Sequence, residues 1–304
     1  WSNRITTKSI KQTTGIQNLD VSEYLDSKVD LPNINQQTKI LEFLDKEIEF
    51  LDQLISAKEK LLNVLSEKIE VLITNFVTKG INQHVKLKET ELDWLGEIPR
   101  HWKITKIKYL TEKIGSGVTP KGGAEVYKQE GIPLLRSQNV HFKGLLLDDV
   151  VYIDNETHEA MSNSKVRKGD VLLNITGASL GRCYYYEEQY PDANVNQHVC
   201  ILRPNKNVLT KYLYYFLRSN LGQNQMNVNQ EGGGREGLTF ENIKAFILPI
   251  PAIEEQREII NEIENEMERI SKLLKSTENS IALLRERKIS LITEAVTGQL
   301  IIKQ

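Results

Sequence analysis

Pro32-Asn33-Ile34-Asn35-Gln36-Gln37-Thr38-Lys39-Ile40 opens a stretch that runs without Pro or Gly as far as Lys79. Along it Leu41, Leu44, Ile48, Leu51, Ile55, Leu62, Leu65, Ile69, Leu72 and Phe76 recur at alternating steps of three and four, with Lys58 filling the one gap. That period of 3.5 residues is the seam of a coiled coil. At about 1.5 Å per residue, some 45 residues make a rod of roughly 65–70 Å. The stretch occurs twice. Shifted by 219 positions without a gap, Pro32, Ile34 and Gln37 fall on Pro251, Ile253 and Gln256, and Leu72-Ile73-Thr74 falls on Leu291-Ile292-Thr293. Val77-Thr78 falls on Val296-Thr297, and Ile40, Glu47, Leu54, Glu59 and Glu67 find Ile259, Glu266, Leu273, Glu278 and Glu286.

Any two amphipathic helices share Leu, Ile, Glu and Lys. Matched Pro, Gln and Thr do not follow from amphipathicity, so the pattern reads as a duplicated module. Its spacing is too long for a solenoid. The second seam comprises Ile260, Ile263, Met267, Ile270, Leu274, Ile281, Leu284 and Leu291, with Thr277 standing where the first has Lys58. The expected helix-pairing residues are Leu44, Ile48, Leu51 and Leu65 on the first helix and Ile263, Met267, Ile270 and Leu284 on the second.

The 304 residues suit two domains, or one domain with extended helices. With 39 basic and 41 acidic residues, whole-chain charge carries no nucleic-acid signal. Residues 94–250 have 19 basic and 16 acidic side chains, whereas each long helix (34–80 and 251–304) has a net charge of −2. A DNA-binding surface would therefore be a local patch. Cys183 and Cys200 form no CxxC pair and the five His are scattered, so no metal site is expected. No apolar run approaches the roughly 20 residues that span a bilayer, and no signal peptide is visible. The expectation is a cytoplasmic protein without a membrane partner.

The organisation follows from the repeat. Residues 1–31 match the approach to Pro251, with Gly15 on Gly234 and Leu19 on Leu238, and read as the tail of a first globular domain, the alternative being an N-terminal arm with its own function. Residues 32–80 are the first long helix and 81–93 a polar linker. Residues 94–250 form a mixed α+β domain, and 251–304 are the second long helix with a C-terminal tail. Within the domain, Val150–Ile153, Asp170–Ile175 and His198–Leu202 read as strands bounded by turn residues, Lys211–Leu221 as one helix, and Ala245–Pro251 as an extended exit.

Enzymatic chemistry finds little support. There is no Pro-Pro pair, so the Asn/Asp-Pro-Pro-aromatic loop of an adenine-N6 methyltransferase is absent. No GxGxG loop follows a strand, and Gly232-Gly233-Gly234-Arg235 lacks the GK[ST] of a phosphate loop. Glu286-Arg287-Lys288 has the spacing of a metal-nuclease fragment but sits on a long helix, far in sequence from Pro191-Asp192.

Five loops of the domain instead combine Gly, hydroxyl or amide groups and, in most, a cation: 115–123, 136–140, 176–182, 194–198 and 232–237. Hydroxyls and backbone N–H groups bind phosphates, while Arg, Asn and Gln make bidentate contacts to base edges. Each loop alone is also an ordinary turn composition; together they point to DNA. The residues expected at DNA are Arg136, Ser137, Asn139, Thr176, Ser179, Asn196 and Arg235, with Lys121 and Arg182 on phosphates. A coiled-coil scaffold without a DNA role, and an enzyme with an unusual site in 94–250, are the alternatives.

These residues carry a resemblance. Trp94–Trp102 (WLGEIPRHW), Ile132–Val140 (IPLLRSQNV), Lys168–Leu173 (KGDVLL), Ile175–Gly181 (ITGASLG) and the exit Gly237-Leu238-Thr239 through Leu248–Pro251 to Glu255-Gln256 resemble the specificity subunits of type I restriction–modification systems. The resemblance implies two target-recognition domains separated by two antiparallel conserved helices, of which this chain holds one full domain, both helices and the tail of the other domain. It implies a non-catalytic subunit that binds double-stranded DNA, each recognition domain taking half of a split site while the helices act as a ruler. Two modification (methyltransferase) subunits and two restriction subunits are the implied partners, and self-pairing of truncated chains would restore two readers. The implied cofactors, S-adenosylmethionine, ATP and Mg, sit on those partner subunits, with none on this chain.

Overall fold

The computed structural model describes residues 10–13, 16–26, 31–229 and 237–300. Two compact units are present, one from residues 1–65 and 271–304 and the other from residues 66–270. The fold is α+β: a mixed domain of short strands and helices accompanied by two long helices, α2 (Ile34–Lys79) and α7 (Ile253–Val296).

The starts and stops of the long helices follow from local chemistry. Before α2, Asn33 Oδ1 accepts from the Gln36 N–H at 2.9 Å and Gln36 Oε1 accepts from the Asn33 N–H at 3.1 Å. This reciprocal pair satisfies donors that have no intrahelical partner. Gly80, at φ +73°, ends α2 in the left-handed conformation that a helix stop favours. The start of α7 carries Glu254 and Glu255, carboxylates favoured by the positive end of the helix dipole. The repeat is visible in hydrogen bonds: Gln37 Nε2 donates to Pro32 O at 2.7 Å and Gln256 Nε2 to Pro251 O at 3.1 Å. Thr78 and Thr297 each donate to the carbonyl four residues back, at 2.7 Å.

The first unit contains an antiparallel hairpin, β1 (Ile10–Thr13) and β2 (Ile16–Leu19), a short helix α1 (Val21–Leu25), and the portions of α2 and α7 that pair there. Arg285 bonds Glu59 and Lys288 bonds Asp52, each at 2.7 Å, so rising numbers on α7 meet falling numbers on α2 and the pairing is antiparallel. Leu44, Leu51, Ile55, Leu65 and Ile281 are buried, whereas Ile48 and Leu284 are half-buried. Leu41, counted in the seam from its spacing, is exposed. Thr277, the polar break, is buried and donates to Leu273 O at 2.8 Å, which satisfies its hydroxyl within the helix.

In the second unit the inward face of α2 moves by one residue. Ile73 and Val77 are fully buried, while Leu72 and Phe76, assigned to the seam by spacing, are only partly covered. An α-helix of 3.6 residues per turn drifts about 20° per heptad from a 3.5-residue stripe. In this unit α2 packs on a globular core, which imposes no 3.5-residue repeat. Ile259, Ile260, Ile263 and Ile270 of α7 are also buried, with Met267 half-buried.

The domain begins with β3 (Leu87–Glu89), paired antiparallel to β4 (Glu97–Pro99). The stretch 81–93, expected as plain linker, thus contributes a strand, because Leu87 finds a ladder partner at Pro99 that its polar neighbours do not advertise. Next come β5 (Lys103–Lys106), β6 (Thr111–Ser116), β7 (Ile132–Leu135), the small hairpin β8 (Val140–His141) and β9 (Gly144–Leu145), and β10 (Val151–Ile153). Helix α3 (Asn155–Ala160) precedes β11 (Val171–Asn174), β12 (Cys183–Tyr185), β13 (Asn194–Val195) and β14 (Val199–Pro204). Helices α4 (Thr210–Arg218), α5 (Asn220–Val228) and α6 (Phe240–Ala245) then lead to β15 (Ile247–Ile250), which pairs with β5.

The central sheet is antiparallel in the order β12-β11-β14-β6. Alternation sorts its side chains: Val171, Leu173, Cys200 and Leu202 enter a core with α4, α2 and α7, while Leu172, Val199 and Ile201 enter a second core with Leu135 and Val195. The other sheet, β10-β7-β13, joins β13 parallel to β7.

The helix expected over 211–221 is two. Ser219 is extended (φ −60°, ψ 158°) and its Oγ accepts from the Gly222 N–H at 3.3 Å, capping α5. A Cβ on Gly222 would stand 2.4 Å from Phe216 O, so the corner requires glycine.

Polar ties bind the domain to its stretches of α2 and α7. Buried Gln256 accepts from the Leu209 N–H at 2.8 Å and donates to Asn207 O at 3.1 Å. Trp102 Nε1 donates to Glu255 at 3.0 Å, and buried Arg218 bonds Glu70 at 2.9 Å.

Candidate nucleic-acid interface

Four of the five loops quoted from the sequence are tied together at the ends of β6, β7, β11 and β13. Gly117, just past β6, donates its N–H to Asn196 O at 3.1 Å. A Cβ there would lie 1.7 Å from Val195 O, so only glycine allows this approach. Asn196 in turn donates its N–H to Leu135 O at 3.1 Å, continuing the parallel ladder of β13 on β7 into the loop that follows. Asn174, at the end of β11, is fully buried and its Nδ2 donates to Ser137 O at 2.7 Å. Ile175 donates its N–H to His198 O at 3.0 Å. Gly237, the one described residue of the fifth loop, forms a bridge with Thr176.

The residues proposed from sequence fall into three groups. Thr176, Ser179, Arg182, Ser137 and Arg136 lie on the tied loops and are half-buried. Thr176 Oγ1 is 2.6 Å from His198 Nδ1. Arg182 makes no side-chain hydrogen bond or ion pair with a described residue. The Arg136 guanidinium donates to Asp149 O at 3.0 Å and stacks near Tyr127, 5.8 Å from the ring centre. Its Nε is buried and has no hydrogen-bond partner among the described residues.

Asn139 and Asn196 form the second group, both buried. Asn139 Oδ1 accepts from the Arg136 N–H at 2.9 Å and its Nδ2 donates to Leu146 O at 2.8 Å. Both ends of that amide are spent on holding the 136–146 loop, so Asn139 shapes the loop from within and does not face a ligand. Asn196 Oδ1 accepts from the His198 N–H at 3.1 Å, closing a turn. Such residues look the same in sequence whether the amide turns inward or outward; burial decides.

The third group stands apart. Lys121 is exposed on the loop beyond Gly117, and among the described residues no hydrogen bond joins its side chain to the other loops. Arg235 lies outside the described residues. Two side chains that the sequence did not single out now stand at the centre, Gln197 and His198. Gln197 Nε2 is 2.9 Å from His198 Nε2. Their signal was the Asn-x-His spacing, in which the Asn side chain turns the chain back on itself.

Nucleophilic chemistry fits neither cysteine. Both thiols are fully buried, and burial pushes Cys200 up to about 12 and Cys183 higher, so neither is a thiolate near neutrality. Among the described residues, no three His, Cys, Asp or Glu are grouped so as to hold a metal ion. No described helix is long and apolar enough to cross a membrane.

A family model described as "Type I restriction modification DNA specificity domain" matches residues 99–291. The type I restriction enzyme EcoBI specificity subunit of Escherichia coli is 25% identical over 292 residues, covering 94% of this chain and 61% of that protein. The MjaVIII specificity subunit of Methanocaldococcus jannaschii is 21% identical over 285 residues, covering 92% of this chain and 62% of that one. The chain thus spans about three-fifths of the length of these relatives. In fold it is similar to a chain from a structural study of type I R-M system assembly and conformational transition, with a TM-score of 0.74 and 16% identity over 98% of this chain and 68% of that one. The HsdS subunit of Thermoanaerobacter tengcongensis matches at a TM-score of 0.58 with 15% identity, again over 98% of this chain and 68% of that one.

Proposed function

The chain belongs to the type I restriction–modification DNA specificity family, and from that premise we propose that residues 94–250 read one half of a split duplex site while α2 and α7 dock the subunits that act on it. The observation that carries the reading is the convergence of the 117, 136–140, 174–182 and 196–198 loops, which gathers hydroxyls, an amide and Arg182 at one end of the domain. Phosphate contacts from Arg182 and Lys121 set position, and side chains of the tied loops read base edges. In this reading the attraction for DNA is local, since the chain as a whole is near neutral.

The chain itself is non-catalytic in this reading. Two modification subunits bring S-adenosylmethionine for adenine methylation, and two restriction subunits bring ATP and Mg for cleavage. Rigid helices between two readers make the second binding event intramolecular, so that half-sites at the right spacing act as one.

The test is duplex binding by fluorescence anisotropy across a salt series, with and without a type I modification subunit. The expected result is tighter binding to one selected sequence than to scrambled duplex, and affinity that falls steeply with salt. Equal affinity for every duplex under both conditions would refute the reading in favour of a scaffold.

A further inference from the structure

The 196–198 turn builds a relay of three polar side chains. Asn196 Oδ1 takes the His198 N–H, and Gln197 lies in the turn that this bond closes. The His198 ring then lies between two partners, Thr176 Oγ1 at 2.6 Å from Nδ1 and Gln197 Nε2 at 2.9 Å from Nε2. An amide nitrogen has only hydrogens to offer, so His198 Nε2 accepts. The neutral ring therefore carries its proton on Nδ1 and donates it to Thr176 Oγ1. Thr176 is itself held, through its bridge to Gly237 and through the bond from the adjacent Ile175 N–H to His198 O at 3.0 Å.

What remains of Gln197 is one N–H and Oε1, which make no hydrogen bond with any described residue. The two are side by side on one planar group. Adenine presents in the major groove an acceptor, N7, beside a donor, the N6 amino group, and a Gln amide meets both at once. A free Gln would have to give up rotamer freedom to do so, whereas this amide is already pinned through its other N–H. Resting on the DNA-reading assignment above, we infer that Gln197 reads an adenine of the recognised half-site, with His198 and Thr176 as positioning residues that fix its amide.

The experiment is selection of binding sites by the full chain from a randomised duplex pool at fixed salt, followed by affinities for the selected duplex and its single-base changes. Wild type should show one adenine position where guanine, or 7-deazaadenine lacking N7, weakens binding by about 5- to 150-fold, the discrimination of a bidentate base contact. Gln197→Ala should abolish discrimination at that position alone. Gln197→Glu, which only accepts, should lose adenine as well. Thr176→Val and His198→Ala should weaken discrimination at the same position and no other, while Thr176→Ser retains it; a merely structural fault would lower affinity at every position. Gln197→Ala with unaltered preferences at all positions overturns the inference and leaves the proposed function standing. A wild-type chain that selects no sequence, either alone or with a type I modification subunit, overturns both.

Discussion

Gln256→Ala isolates what the tertiary structure adds to a duplicated motif. Gln256 and Gln37 occupy equivalent places in the repeat, and each donates to the carbonyl of the Pro five residues earlier. Gln37 is exposed, so water replaces its bond and the Ala variant should cost no more than about 0.5 kcal/mol. Gln256 is fully buried and also ties Leu209 N–H and Asn207 O to the start of α7. Truncation would orphan the Leu209 donor and the buried Pro251 carbonyl, whereas Asn207 is exposed and its carbonyl can turn to water. An orphaned buried group costs about 1–3 kcal/mol. The two here, one only partly covered, amount to about 2–4 kcal/mol. Urea unfolding of the whole chain followed by tryptophan fluorescence suits the comparison, because Trp102 lies at this junction, bonded to Glu255. Two units need not unfold together, so the transition that carries the Trp102 change is the one to compare. Equal midpoints for Gln256→Ala and Gln37→Ala would refute the argument that burial of this amide holds the domain on α7.

Further outcomes follow from the same geometry. Asn139→Ala should destabilise the domain by about 1–3 kcal/mol, since it orphans the Arg136 N–H, whereas Leu146 is exposed and its carbonyl can turn to water; a lowered thermal midpoint is the check, and unchanged stability with altered base preference would return Asn139 to the DNA contacts. Arg182→Ala and Lys121→Ala should each weaken binding to all duplexes alike and reduce the slope of log affinity against log salt by about one; a loss confined to one sequence would make either residue a base reader. Cys200 ionises at about 12 in the folded chain against an ordinary value of 9.0, because burial penalises the thiolate. Between those values the native state keeps a proton that the unfolded state releases, so this contribution to stability is whole below pH 9 and is lost as pH rises toward 12. Burial also raises Tyr185, Tyr214 and Tyr215, which act in the same direction. The thermal midpoint should therefore fall progressively above pH 9; a flat profile from pH 8 to 11 would contradict it.

The duplicated helices were legible in the residues because their signal is local. Hydrophobic spacing, Pro32 and Pro251 before each start, and Gly80 at the first stop are all properties of a few neighbouring residues, and helix hydrogen bonds reach only four residues along the chain. The strands β11 and β14 were legible for the same reason, as apolar runs bounded by turns. What tertiary structure alone decided was which side of each element faces inward and which distant loops meet. Ile73 and Val77 displaced Leu72 and Phe76 because α2 there packs on a domain core, and no spacing rule within the helix records that neighbour. Leu87–Glu89 became a strand only because Pro99 and Glu97 supply a ladder. Among the loops, Asn139 and Gln197 carry the same amide chemistry in sequence. One is consumed by the backbone around it while the other keeps a donor and an acceptor for a ligand, and that difference lies in hydrogen bonds between loops from 117 to 237, whose closure is set by the sheet and not by any single stretch.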